Sequence, residues 1–281
     1  MTHADVRYLE AKRSVDDRAL SPRVCERLLS ELPTAPKILD AGCGTGATLQ
    51  RLWEWDVTAG HYRGVDRGER VVAFAREERP RILEWQGADV TRSGTETLVD
   101  DLSVQFEAGD AFETFAGTTD ADLFVAAAFA DLVPVDRLVD LAEDVLRPGG
   151  LAYFPITFDA GTVFVPDHPA DDAVERAYHR AIDAEPGRDT RAGRRLAGTL
   201  QARTGDLLAM DASDWVVRSV DGAYPADEAA FLDRILGFVE GALAGTGVEG
   251  FHDWLATRRA QLAAGELTYV AHQYDLLYRT P

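Results

Sequence analysis

Asparagine is missing from this 281-residue chain, and only two of its 29 basic residues, Lys12 and Lys37, are lysine. The other basic residues are arginine, and 48 Asp and Glu leave a formal net charge of −19. The carboxylates are spread along the chain rather than gathered in a tail. Two readings fit. One is a halophilic surface, because at 1 M salt the Debye length shrinks to about 3 Å and self-repulsion is screened. The other is a base composition that favours Arg, Ala, Gly and Asp codons. The halophilic reading is preferred. A surface so poor in cations argues against nucleic acid as a partner, since phosphate binding rests on Lys and Arg and weakens with salt. It says little about small molecules.

Other shortages narrow the field further. Two cysteines, Cys25 and Cys43, are too few for a disulfide framework, so a cytoplasmic location is expected. No apolar run approaches the ~18 residues of a membrane span, and the opening MTHADVRYLEAKRS lacks the apolar stretch of a secretory signal. The six histidines show no metal-ligand spacing, so no metal is expected. Hydrophobic content of 46% and charged content of 27% are ordinary for a folded chain and exclude wholesale disorder. At about 150 residues per domain the length fits one large domain or two small ones.

Hydrophobic periodicity then orders the chain. Residues 5–31 read as helical, interrupted at Asp16-Asp17, with Ser21-Pro22 as N-cap and first residue of a second helix. Short apolar strands are expected at 37–41, 62–66, 104–107, 122–127 and 151–158, with helical patterns between them. Residues 82–85 carry some strand character, and 91–97 form a polar stretch. Strands alternating with helices imply a parallel sheet covered on both faces. Ligands of such sheets sit beyond the carboxyl ends of the strands, so the loops after Asp40, Asp66, Glu107 and Ala127 are the places to look. The second half is looser. Helices are expected at 170–184, 190–203, 226–244 and 249–263, a strand within 207–217 and another at 268–279, with no linker that would free this half.

The sharpest motif is Ile38-Leu39-Asp40-Ala41-Gly42-Cys43-Gly44-Thr45-Gly46, a strand running into a glycine turn and then a helix. Glycines at 42, 44 and 46 allow a tight turn and close backbone approach to a ligand, and the helix start offers free N–H groups. The spacing is G-x-G-x-G, whereas the dinucleotide fingerprint is G-x-G-x-x-G. Asp40 suits a cationic amine better than a pyrophosphate. Asp66 closes the second strand, where a carboxylate can accept from both hydroxyls of a ribose.

In these residues the chain resembles the class I S-adenosylmethionine-dependent methyltransferases. The likeness extends through Gly109-Asp110-Ala111, Asp122–Ala127 and Leu146-Arg147-Pro148-Gly149-Gly150, covering about 36–158. It implies an α/β fold, a doubly wound, mostly parallel seven-stranded Rossmann-like sheet whose last strand is antiparallel, with an N-terminal helical cap and a helical insertion before the last strand. A single domain is expected, with 1–33 as cap, 34–158 as cofactor-binding core and 159–281 as substrate-side region. The resemblance implies S-adenosyl-L-methionine as cofactor and methyl transfer to a small molecule. Gly42, Gly44 and Gly46 would line its methionine part, Asp40 would sit near its amino group, Asp66 would hold the ribose, and Asp110 with Ala111 would contact the adenine; Cys43 and Arg67 count among the cofactor-binding residues. Ala127 and Phe129 would approach the sulfonium. Many small-molecule members carry a histidine pair after the fourth strand; here Phe129-Ala130-Asp131-Leu132 stands there instead, so no base is carried over. A nicotinamide-dependent oxidoreductase and a non-catalytic S-adenosylmethionine-binding module are the alternatives.

The residues themselves suggest the remaining candidates. Asp131 and His272 are the acid–base candidates, against the plainer readings of a solvated loop aspartate and a structural histidine. Tyr8 and Lys12 lie i, i+4 on the cap and are placed to close over a ligand. His179 is a further substrate-side candidate. Arg188, Arg191, Arg194, Arg195 and Arg203 cluster against Asp189 alone. Arg188, Arg191 and Arg195 are expected on one helical face, where Arg191 and Arg195 would hold an anionic acceptor; a solvated helix face paired with neighbouring acids is the preferred plainer reading. Trp215, Tyr224, Tyr153, Phe158 and Phe164 supply aromatic surface to an acceptor pocket or to the core. The expected partner is a small-molecule acceptor, with a homodimer left open.

Overall fold

The computed structural model describes residues 5–93 and 96–281. Asp5 caps α1 (Val6–Ala19) by accepting from the amides of Arg7 and Tyr8. The helix runs through Asp16 and Asp17 rather than breaking there, because both carboxylates find cations: Asp16 meets Lys12 at 2.7 Å and Asp17 meets Arg51 at 2.6 Å. Ser21 caps α2 (Pro22–Glu31), with Pro22 in its first turn.

The alternating half follows as β1 (Lys37–Ala41), α3 (Ala47–Glu54), β2 (Ala59–Asp66), α4 (Glu69–Gln86), β3 (Val90–Ser93), β4 (Glu96–Val99), β5 (Asp101–Ala108), α5 (Ala111–Thr114), β6 (Ala121–Val125), α6 (Val135–Val145) and β7 (Leu146–Val165). The second half contains α7 (Asp171–Asp183), α8 (Ala192–Ala202), β8 (Asp206–Ala212), β9 (Trp215–Val217), α9 (Glu228–Leu243), α10 (Phe251–Ala264) and β10 (Thr268–Arg279). The sheet order is β3-β4-β5-β2-β1-β6-β7-β10-β8, with β9 paired to β10. The seven expected strands are β5, β2, β1, β6, β7, β10 and β8, and β10 runs antiparallel to both neighbours. Three further strands extend the sheet: β9, and the β3–β4 hairpin at the edge. That hairpin spans the polar stretch 91–97, of which residues 94 and 95 lie outside the described residues.

The strand character at 82–85 is not realised. Those residues close α4, which buries Val72, Ala75 and Leu83 at helical spacing and stops at Gly87 in the left-handed conformation. The helices α9 and α10 separate β9 from β10 in the chain, as the expected insertion before the last strand. The core has three parts. One lies under α6 and α8, one under α2, α3 and α4, and one joins α1, α7, α9 and α10 to the long ends of β7 and β10. The third part forms a roof over the carboxyl ends of the parallel strands.

Arg79 braces that roof to the glycine turn. It is fully buried on α4, and it donates to the Thr45 carbonyl at 3.0 Å, to Gln50 on α3 at 2.7 Å and to Glu10 on α1 at 2.5 Å. Removing one partner of a buried ionic network leaves the others unsatisfied, at a cost of about 3–5 kcal/mol. Arg79→Leu is therefore expected to lower stability by that amount in urea titrations and to speed proteolysis within α1.

Candidate functional site

The site starts where β1 ends. Gly42, Gly44 and Gly46 have φ of 75°, 52° and 77°. The amides of Gly42 and Cys43 donate to the Val65 carbonyl at 2.8 and 3.1 Å, and the amide of Gly44 donates to Asp66 Oδ2 at 3.1 Å. Asp66 Oδ1 accepts from the Gly68 amide at 2.7 Å. A Cβ on Gly42 would stand 2.4 Å from Phe129 Cδ2, so only glycine allows the turn to pack beneath that ring.

A cavity of about 390 Å³ opens between this turn and the roof. Gly42, Gly44, Asp66, Arg67, Asp110 and Ala111 line it from the strand ends, joined by Ala127, Phe129 and Asp131 from the segment after β6. Tyr8 and Lys12 line it from α1. Asp110 caps α5 through the Phe112 amide at 2.8 Å and pairs with Arg67. Burial raises its pKa, but Arg67 and the Phe112 amide outweigh burial and hold it below the usual range. The Asp131 carboxyl is pushed up to about 6 by burial, against the opposing pull of its own backbone amide, Arg188 and Lys12. Burial likewise raises the phenols of Tyr8, Tyr178 and Tyr269, which line the same space, so each stays protonated at neutral pH.

Several expected site residues stand elsewhere. Asp40 is fully buried behind the turn, where Tyr62 Oη donates to it at 2.5 Å. Cys43 is buried against Gly64, and burial pushes its thiol well up, which leaves it inert. Gly46 faces Phe106 and starts α3. His272 points away from the cavity. Side chains alternate along a strand, and Tyr269 and Gln273 of β10 are the ones that line it. His272 Nδ1 instead meets Asp214 at 2.8 Å. His179 stands behind Thr162, with its Nε2 3.0 Å from that hydroxyl, while Tyr178 and Ile182, one turn apart on α7, line the wall. Arg191 and Arg195 lie off the cavity. The helix α8 begins only at Ala192, so Arg188 does not share a helical face with them; Arg195 pairs with Asp189 at 2.7 Å, and Arg188 lines the cavity.

The aromatic candidates divide. Trp215 and Phe158 line the cavity, Tyr153 and Phe164 are core, and Tyr224 donates to the Leu267 carbonyl. Sequence reasoning passed over Tyr178, Ile182, Ile235, Phe238, Tyr269 and Gln273. Their i, i+3, i, i+4 and alternate spacing marks common faces, but not which layer each face meets. Among the described residues no cluster of His, Cys, Asp and Glu could hold a metal ion, and no helix is long and apolar enough to cross a membrane.

Burial also pushes the Asp40 carboxyl up to about 6, from an ordinary value near 3.8. Between these values the folded chain binds the proton and the unfolded chain releases it, so this group lowers stability as pH rises. Asp40→Asn keeps an oxygen for Tyr62. Its stability relative to wild type is expected to rise from pH 4 to pH 7 in urea titrations.

Part of the chain matches a known family. The methyltransferase domain family matches residues 34–154. A methyltransferase structure from Bacillus halodurans C-125, described as putative, aligns with a TM-score of 0.54 at 13% identity, covering 91% of this chain and 96% of that one. An S-adenosylmethionine-dependent methyltransferase from Thiobacillus denitrificans, in complex with S-adenosyl-L-homocysteine, aligns with a TM-score of 0.48 at 18% identity over 92% of each chain. No curated protein compared matches the chain. The chain therefore carries a methyltransferase domain at residues 34–154, within a fold that it shares with the Bacillus halodurans structure.

Proposed function

We propose that the chain methylates a small-molecule acceptor, which enters the roofed side of the cavity while the cofactor lies along the strand ends. The observation that carries this reading is the continuity of the cavity. One space is lined by the glycine turn and Asp66 below, and by Tyr8, Lys12 and an aromatic wall above. In this reading residues 34–158 hold the cofactor, 159–281 shape the acceptor side, and the segment up to residue 33 is the cap, all within one domain.

The residues present fit the cofactor. Gly42 and Gly44 have no side chains to obstruct a ligand, and Asp66 lines the cavity while already fixed by two amides. Each carboxylate oxygen keeps a second lone pair, so Asp66 can still accept from ribose hydroxyls. Asp110 with Ala111 would border the adenine. Asp40 acts behind the turn, where its hydrogen bond with Tyr62 supports the end of β1. When bound, S-adenosylmethionine supplies a methyl group on a sulfonium, an electrophile that needs no further activation.

The protein's work is then to hold the acceptor in line and keep water out, so proximity carries most of the acceleration. Tyr8, Trp215 and Phe238 close the space from the roof. For a hydroxyl or amine acceptor, Asp131 takes the proton. It is the carboxylate of this wall with no salt-bridge partner within 4.0 Å among the described residues outside the glycine-turn side, and its pKa near 6 suits a base at neutral pH.

Two outcomes follow. Calorimetry is expected to detect S-adenosylhomocysteine binding in wild type and no binding of NADH, and Asp66→Asn to weaken S-adenosylhomocysteine at least tenfold; absence of binding to wild type refutes the reading. With an acceptor in hand, kcat/KM is expected to rise with pH through about 6 as Asp131 loses its proton. Asp131→Asn should abolish that limb and lower the rate about 10²–10⁴-fold. Salt should be varied up to molar concentration in both measurements, because the formal charge is −19.

A further inference from the structure

Every cation that lines the cavity already has a carboxylate. Lys12 meets Asp16 at 2.7 Å, Arg188 meets Glu185 at 2.7 Å, and Arg67 pairs with Asp110. Asp189, which also lines the cavity, is taken by Arg195 at 2.7 Å. Two lining carboxylates have no ion pair within 4.0 Å among the described residues, Asp66 and Asp131. Asp66 lies at the strand ends, fixed by the amides of Gly44 and Gly68. Asp131 stands on the acceptor side of the chamber.

The backbone holds Asp131 in place. Its carbonyl accepts from the Asp189 amide at 3.1 Å, and the Leu132 amide closes the turn around it onto the Phe129 carbonyl at 3.0 Å. A carboxylate drawn out of water is costly unless a counter-charge meets it. The walls of the chamber include Phe158, Tyr178, Trp215 and Tyr269. The faces of such rings carry negative potential and attract cations. Lys12 already shows the arrangement, with its Nζ 5.1 Å from the centre of the Trp215 ring and Asp16 as its counter-ion. The phenols of Tyr178 and Tyr269 stay protonated, so the walls add no charge of their own. An anionic acceptor would set a second negative charge beside Asp131. A neutral hydroxyl would leave the carboxylate unmatched. An ammonium on an apolar body suits both the charge and the rings.

We infer that the acceptor is an organic amine, bound as its ammonium with Asp131 as counter-ion and its apolar body among Phe158, Tyr178 and Tyr269. This rests on the methyltransferase reading above and adds the substrate class. The transfer then balances. One N–H proton passes to Asp131, and the electron pair left on nitrogen forms the bond to the methyl carbon. The carbon–sulfur bond breaks with its pair remaining on sulfur. The methylated product is again an ammonium, and the Asp131 carboxyl returns its proton to solvent.

The test uses the full chain saturated with S-adenosylhomocysteine in about 1 M potassium chloride, where a Debye length of about 3 Å screens the diffuse attraction of a −19 chain for any cation. Three probes with one ring in common are compared by calorimetry: benzylamine, benzyl alcohol and benzoate. At pH 7 benzylamine is expected to bind wild type at least about tenfold tighter than either of the others. Asp131→Asn is expected to remove that preference while leaving benzyl alcohol and S-adenosylhomocysteine affinities unchanged. Glu249→Gln removes an exposed carboxylate away from the cavity and should change none of them. Wild type alone decides if the Asn variant does not fold. Protonation of Asp131 removes the counter-ion, so benzylamine affinity should fall about fivefold or more from pH 7 to pH 5, while that of benzyl alcohol stays constant. Equal affinity for amine and alcohol, preference for benzoate, no detectable binding of benzylamine, an undiminished amine preference in Asp131→Asn, or an amine affinity that is flat between pH 5 and pH 7 each overturns the inference. Retained S-adenosylhomocysteine binding in those cases leaves the methyltransferase reading standing; loss of it in wild type overturns both.

Discussion

The structure depends on one joint, where the end of β2 takes up the amides of the turn that follows β1. In-register pairing sets Ala41 beside Val65. The Val65 carbonyl and the Asp66 carboxylate then accept from Gly42, Cys43 and Gly44 in succession. Three amides that leave the strand ladder are thereby satisfied without a helix or water. The turn can stay tight only because Gly42 leaves room for Phe129. With the turn fixed, α3 departs beneath the sheet, β6 lies on the other side of β1, and a cavity is left above the strand ends.

The acidic chain spends its few buried cations on bracing the roof above that joint. Arg51, Arg79 and Arg258 are buried, and each reaches carboxylates on another element: Asp16 and Asp17, Glu10, and Asp171. Arginine suits this task because its planar fork serves several acceptors at once and its charge does not titrate near neutrality. A lysine would offer one compact charge. The Leu9 side chain leans on the turn itself, 3.1 Å from where a Gly44 Cβ would stand. Roof and turn are therefore braced against each other, with α1 packed over the mouth of the glycine turn.

The position of cations inside the cavity also bears on chemistry. Lys12 is balanced by Asp16 in the roof, whereas Asp131 meets only diffuse positive potential from Arg188 and Lys12. Burial therefore dominates its proton affinity. A carboxylate in that state can exchange a proton near neutrality, which a fully paired one such as Asp110 cannot.

Much of this architecture was legible in the chain itself. Strand, glycine turn, helix, strand and acid in that order determined the sheet type and the end of the sheet at which the cavity opens, because each is a local backbone requirement. Helix starts at Ser21 and the strand at 268–279 were equally local. The errors came where local signals leave a choice open. Asp16 and Asp17 look like a break until Lys12 and Arg51 arrive to balance them. Ile82–Trp85 carries strand-forming side chains but completes the buried stripe of α4. His272 and Gln273 are neighbours in sequence, and only the pairing of β10 sends one outward and the other into the cavity. Arg188 and Arg191 differ by three residues, and only the start of α8 at Ala192 separates a chamber-lining side chain from an outer one. Periodicity determines which residues share a face. Which face is covered, and by what, depends on contacts between residues far apart in the chain, and those only the tertiary structure decides.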